Sequence, residues 1–304
     1  MGNSAQEPKR GARVNRSERR SAGIAATLVS AFANQLGAAS GALAFPSIGP
    51  VGVVVVRQFV AAAVLIPLVR PRFWRFSRSQ LWPVVLLALV FGTMNLSLYF
   101  SISRIGLGLA VTLEFLGPLS VALAAARNRS SLVCAIVAGV GVVALTHPAA
   151  TTDYLGVALG LIAASCWAAY ILLQRTIGRR IAGVQGTATA TGISALIFLP
   201  VGIILFTIHP PTTAGILYAV GAGVLASAVP MIADLFTLRL VPAGLFGILL
   251  SVNPIFAATL GAIILGQALA PLEWGGIILI VGANVAAFLL ARVPPTPELG
   301  SPVP

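Results

Sequence analysis

The stretch IGLGLAVTLEFLGPLSVALAAAR, residues 105–127, decides how this chain must be read. From Ile105 to Ala126 it is apolar and long enough to cross a bilayer as a helix. It nevertheless carries Glu114 and Pro118 in its interior. At 1.5 Å per residue, Glu114 lies roughly 13 Å from the start of the tract, near mid-bilayer. A charged, unpartnered carboxylate costs about 3 kcal/mol or more at that depth. An acid held there against such a cost is a functional candidate. The proline removes one backbone hydrogen bond and bends or breaks the helix beside it.

The rest of the chain supports a membrane reading. Its 304 residues are 58% hydrophobic and 9% charged, with a mean hydropathy of +0.99. Soluble domains carry roughly 25% charged residues. A window of membrane length gives ten expected spans, at 22–45, 50–69, 80–102, 105–126, 131–147, 154–174, 183–207, 213–238, 242–266 and 272–291. The expected fold is therefore an all-α membrane protein of ten transmembrane helices. Its parts are a basic tail at 1–21, five spans over 22–147, five more over 154–291, and a Pro-rich tail at 292–304. The polar start and the long apolar segment behind it do not read as a cleaved signal peptide.

The net charge is +12. A basic total suggests nucleic acid in a soluble chain, but no polar surface here is broad enough to hold a duplex. The arginines instead mark orientation. Lys9, Arg10, Arg13, Arg16, Arg19 and Arg20 precede span 1, and Arg70, Arg72, Arg75 and Arg78 follow span 2. Arg127 and Arg129 follow span 4, Arg175, Arg179 and Arg180 follow span 6, and Arg239 and Arg292 follow spans 8 and 10. All of these share one side if both termini do, and the opposite side keeps Arg104 with Asp153 and Glu273. The positive-inside rule places both termini in the cytosol of a protein embedded in the cell membrane. Cys134 and Cys166 sit in apolar tracts as packing residues, without metal-ligand spacing. No cofactor or metal is expected.

Two halves are also legible. SAFA at 30–33 matches SCWA at 165–168, and Arg104 matches Arg239, at an offset of about 135 residues. Gly108 matches Gly244 and Pro118 matches Pro254, one residue further on. Because five spans make each half, the second enters the membrane from the opposite side, an inverted repeat typical of secondary transporters. Symmetric helix breaks at Pro118 and Pro254 point to a site at the repeat interface.

Four stretches carry a family resemblance: NQLGAASGALAFPSIGPVGVVVVRQ (34–58), FGTMNLSLYFSISRIGLGLAVTLEFLGPLSVALAAAR (91–127), CWAAYILLQR (166–175) and VPAGLFGILLSVNPIFAATLGAIILGQALAP (241–271). With them the chain resembles the EamA-type branch of the drug/metabolite transporter superfamily, and within it the threonine/homoserine exporter-like proteins. The resemblance implies two inverted five-helix repeats around a central cavity and export of small polar metabolites such as amino acids. The chain departs from the family at Asn253, where an acid usually precedes the second proline, and at Gln267, where the ninth helix usually ends in LGE.

Several polar residues are candidates for substrate binding or coupling. Glu114 handles protons or substrate, or else is a neutral acid bonded to a neighbouring helix. Arg57, in span 2, is open to three readings: snorkelling, a structural ion pair with Glu114, or bidentate binding of a substrate carboxylate. Asp234 is either part of an interfacial charge cluster with Arg239 or a cavity residue. Asn34, Gln35, Asn95, Tyr99, Trp167 and Tyr170 fall on spans that line the cavity in the resembled family, and Asn253 precedes the second break. Gly37 and Gly41 form a small-residue pattern that close helix packing explains.

No metalloprotease, phosphate-loop or nucleophile-elbow motif is present, so neither enzymatic chemistry nor ATP drive is expected. The sequence reads as a proton-coupled secondary exporter of small amino-acid-like metabolites. Movement of another small solute (a drug, sugar or nucleobase) stays open as an alternative, as does a non-transporting assembly subunit. The expected partners are a small-molecule substrate and the lipid bilayer; a homodimer is compatible with the pattern but not specified by it.

Overall fold

The computed structural model describes residues 10–126, 129–146, 153–181, 184–230, 232–233 and 243–290. Among them every regular element is helical. In lipid this is forced, because a backbone N–H or C=O without an internal partner costs several kcal/mol. The helices are α1 (Arg10–Leu43), α2 (Phe45–Val69), α3 (Arg78–Ile105), α4 (Leu107–Glu114), α5 (Leu116–Ala126) and α6 (Arg129–Thr146). They continue with α7 (Tyr154–Gly178), α8 (Gln185–Ile208), α9 (Thr213–Gly223, prolonged by a π-turn at Val224–Ala228), α10 (Ala243–Leu250), α11 (Asn253–Leu265) and α12 (Pro271–Leu290).

Among the described residues eight segments are long and apolar enough to cross a membrane: 21–43, 45–69, 78–105, 107–125, 154–178, 185–208, 245–265 and 271–289. Leu132–Thr146 and Thr213–Ala228 are shorter apolar helices. They occupy the places where spans 5 and 8 are expected from sequence. The far end of span 8, with Asp234 and Arg239, lies outside the described residues.

Local chemistry sets the helix ends. Ser77 and Gln80 form a capping box at the start of α3. Asp153 Oδ1 accepts the Gly156 N–H at 2.9 Å to start α7, and Thr212 Oγ1 accepts the Gly215 N–H at 3.1 Å to start α9. Gly106, at φ +85°, lets the chain turn from α3 into α4. The fourth and ninth spans are each interrupted: α4 passes to α5 at Phe115, and α10 to α11 at Ser251–Val252. Both interruptions lie just before the prolines that were expected to cause them, Pro118 and Pro254.

The packing brings two helices to the centre. α7 runs along α3, α4 and α5, while α1 runs along α9, α10 and α11. α4 crosses α11, α2 packs on α8, and α6 packs on α12. Small residues permit the close crossings. A Cβ on Gly108 would stand 2.9 Å from Ala258 Cα, and one on Gly41 would stand 2.6 Å from the Tyr99 ring. Large apolar side chains such as Leu132, Val143, Leu196, Ile204 and Leu289 face outward. On a soluble protein they would form a sticky surface; here they face lipid.

Candidate functional site

A cavity of about 420 Å³ lies among α1, α2, α3, the α4–α5 break, α7, the π-turn after α9, the α10–α11 break and the end of α12. That volume is in the range of small-molecule sites. Its walls draw on the middle and arginine-side parts of these helices, reaching Pro230, Phe246 and Phe288. On the opposite side, Ala38, Ala39, Ile102, Leu107, Ala110, Val111 and Ala257 form a packed cluster of buried side chains. Beyond that plug, Gln267 Oε1 accepts the Leu107 N–H at 2.8 Å, tying the end of α11 to the start of α4. Arg104 and Asp153 form an ion pair at 3.0 Å between the end of α3 and the start of α7. The Gly156 N–H and then Arg104 hold the Asp153 carboxyl below its ordinary pKa. Its contribution to stability is therefore present above the unfolded value near 4 and is lost as pH falls through the lowered one.

Most of the residues singled out in the sequence meet at this cavity. Glu114, Arg57, Asn34, Gln35, Asn95, Trp167, Tyr170, Asn253 and Pro118 all line it. Glu114, 7% exposed, sits at the last position of α4, where the helix breaks. Pro118 has no N–H to give the Glu114 carbonyl, so both the side chain and the backbone of this residue are released from the regular helix. The ion pair between Arg57 and Glu114 is not formed: the one salt bridge among the described residues joins Arg104 to Asp153.

Arg57 is held instead by the π-turn. Its Nε donates to Ser227 Oγ at 2.9 Å and its Nη2 to the Ala226 carbonyl at 2.8 Å. The guanidinium carbon lies 5.5 Å from the centroid of the Tyr99 ring. Pro230 explains the seat. It has no N–H, so the Ala226 carbonyl four residues earlier lacks its α-helical donor, and the guanidinium supplies one. Two of the five guanidinium N–H groups are thus used for positioning, which leaves three.

A second proline works the same way. Pro254 frees the Leu250 carbonyl, which accepts from Asn253 Nδ2 at 2.7 Å. The Asn253 Oδ1 then accepts from Gln35 Nε2 at 2.7 Å, joining α11 to α1. Gln35 Oε1 is buried with no hydrogen-bond partner among the described residues. Asn95 Nδ2 turns back to the Phe91 carbonyl at 2.8 Å, and Tyr170 OH accepts from Gln174 Nε2 at 2.9 Å.

Tyr99 is placed differently from the others. It is 0% exposed and packs behind Arg57 rather than on the cavity wall, and its hydroxyl has no partner among the described residues. Asp234 lies outside the described residues, and Pro254 shapes the break without joining the lining. Sequence reasoning missed Ser227, and with it the apolar wall of Phe91, Met94, Phe115, Phe246 and Phe288. The signal for the first was Pro230 four residues after Ala226. The apolar wall had no signal, since such residues are everywhere in this chain.

The arrangement offers a guanidinium, a carboxylate and several amides to one solute, against an apolar wall. Comparison with known proteins gives the family of the chain. A model of the EamA-like transporter family matches residues 154–289. The threonine/homoserine exporter RhtA of Escherichia coli (strain K12) is 34% identical over 275 residues, covering 88% of this chain and 92% of the relative. Its counterpart in Salmonella typhimurium (strain LT2) is 32% identical over 285 residues, covering 90% and 93%. A solved crystal structure shares the fold with a TM-score of 0.58 at 19% identity, over 88% of this chain and 98% of its own. A match of this extent makes the chain a multi-pass transporter of the cell membrane rather than an enzyme: it belongs to the EamA-like transporter family.

Proposed function

We propose that this protein exports small neutral amino acids of the threonine and homoserine type from the cytosol, exchanging them for protons. The observation that carries this reading is the convergence of Arg57 and Glu114, from different helices, on one cavity. An amino acid is a zwitterion. Its carboxylate docks on the three free N–H groups of Arg57, two of them in bidentate geometry. Its ammonium is drawn to ionised Glu114, and Gln35 Oε1 accepts a further hydrogen bond from the ammonium or a side-chain hydroxyl. When Glu114 is protonated the ammonium loses its counter-charge and leaves, so substrate and proton compete for one carboxylate.

Ten spans in two inverted halves give this site its alternating access. In support, the breaks at Phe115 and at Ser251–Val252 lie at nearly the same offset as the Pro118–Pro254 pair. The central contacts also correspond: α7 lies on α4 and α5 as α1 lies on α10 and α11. With both termini cytosolic, the cavity is loaded from the cytosol while the cluster around Ala110 and Ala257 keeps the outside closed.

The test is counterflow in proteoliposomes across an amino-acid panel. Threonine and homoserine should exchange. The panel extends to aliphatic and aromatic amino acids, because Phe91, Phe115, Trp167 and Phe288 also suit an apolar side chain. Absence of exchange for every amino acid, with the protein folded and inserted, overturns the reading in favour of another small solute.

A further inference from the structure

A second feature lies on the outer face of α3, away from the central cavity. Arg78, Leu81, Trp82, Val85, Leu86 and Leu89 line an open groove of about 520 Å³. Their three- and four-residue spacing places them along one stripe of the helix. From Arg78 to Leu89 the stripe runs about 16 Å at 1.5 Å per residue, roughly half of the hydrocarbon thickness of a bilayer and so the depth of one leaflet. The groove is apolar along its length and basic at one end only.

That end is built rather than merely charged. Arg180 stacks over Trp82 with its guanidinium carbon 5.3 Å from the ring centroid. Its Nη1 donates to the Ser79 carbonyl at 2.6 Å, and Gln80 Nε2 donates to the Arg180 carbonyl at 2.7 Å. Arg78, Arg179 and Arg180 are all exposed. Next to them a single 3₁₀ turn, Phe73–Arg75, presents Phe73 and Trp74 at 57% and 70% exposure. Such aromatics belong at the headgroup level of a membrane. Nothing neutralises the rim from within its own helices. Residues 19–113 and 154–233 contain no Asp or Glu, and the only ion pair among the described residues is the distant Arg104–Asp153.

We infer that this groove binds one anionic phospholipid, one of its acyl chains lying along α3 and its phosphate held by Arg78 and Arg180. The occupant follows from charge and shape together. A phosphate diester takes guanidinium donors in a planar fork, which a zwitterionic headgroup offers only beside its own cation. The groove depth fits one acyl chain. A second copy of the protein is disfavoured here, because a twofold contact would set the same arginine-rich rim against itself.

Native mass spectrometry of the purified protein in neutral detergent tests this, with phosphatidylglycerol and phosphatidylcholine of identical acyl chains as probes. The wild type should retain one phosphatidylglycerol about tenfold more readily than phosphatidylcholine. Arg78→Gln, at an exposed position, should bring that preference to within about twofold. Leu86→Trp, which fills the groove, should weaken retention of both lipids. Glycerol phosphate at millimolar concentration should not compete, since it lacks the chain. Equal retention of the two lipids by the wild type, an unchanged preference in Arg78→Gln, full competition by glycerol phosphate, or a lipid-free dimer would each overturn the inference.

Discussion

Arg57→Gln separates recognition from architecture. In the structure the guanidinium spends two donors on Ser227 Oγ and the Ala226 carbonyl, at 2.9 and 2.8 Å, and keeps three for the cavity. A hydrogen bond to a charged group contributes about 1.5–3 kcal/mol. Loss of a bidentate carboxylate contact therefore weakens substrate binding by about 3 kcal/mol, taking the lower value for each of its two bonds. At 1.36 kcal/mol per decade that is roughly a hundredfold rise in Kd. The Ala226 carbonyl also loses its donor, which costs about 1–3 kcal/mol of stability. Ser227→Ala supplies the comparison: it removes only the Nε anchor, keeps the charge, and should raise Kd no more than about tenfold. Isothermal titration with threonine on detergent-solubilised protein reads both variants. A Kd for folded Arg57→Gln within threefold of wild type refutes the docking role, as does an equal loss in the two variants.

Further outcomes follow from the same structure. In a cysteine-free background, Ser77→Cys should react with an impermeant reagent only from the cytosol and Thr151→Cys only from outside; labelling of Ser77→Cys in intact cells contradicts the orientation. Gly108→Val places a branched side chain where a Cβ already meets Ala258 Cα at 2.9 Å. It should destabilise the protein by about 1–3 kcal/mol, read as a lowered Tm; an unchanged Tm shows that the α4–α11 crossing is looser than described. Asp153→Asn removes a carboxylate whose lowered pKa favours the folded state above pH 4. The difference in Tm between wild type and variant should be present at pH 7 and shrink toward pH 3.

Much of this was legible in the sequence because a bilayer imposes simple rules. Length and hydropathy alone place the helices, and an acid in an apolar tract is too costly to be accidental. Glu114 could be picked out on that ground, and Asn34, Gln35 and Asn95 because they fall on spans that line the cavity in the resembled family; all four line one cavity. Prolines were legible as breaks, but not as suppliers of unpaired carbonyls. Pro230 tells which carbonyl loses its donor; only the fold tells that Arg57, far away in sequence, fills the vacancy. The same gap explains Tyr99. An aromatic hydroxyl on a cavity helix looks like a substrate contact, yet its angular position on α3 sends it behind Arg57 and against Gly41. Periodicity gives a helix its faces but not which face turns toward which neighbour.

Glu114 tests the account most directly, by substrate accumulation in proteoliposomes under an imposed pH gradient. With one proton exchanged per neutral amino acid and the membrane potential clamped at zero, a gradient of one pH unit sustains about a tenfold concentration ratio, equivalent to 1.36 kcal/mol. The wild type should approach that ratio. Glu114→Gln keeps the shape and most of the hydrogen bonding of a protonated glutamate but cannot ionise. It should insert and fold normally, and its accumulation ratio should stay near one whatever the gradient. Tenfold accumulation by the purified Glu114→Gln protein would contradict the coupling role and, with it, the central claim.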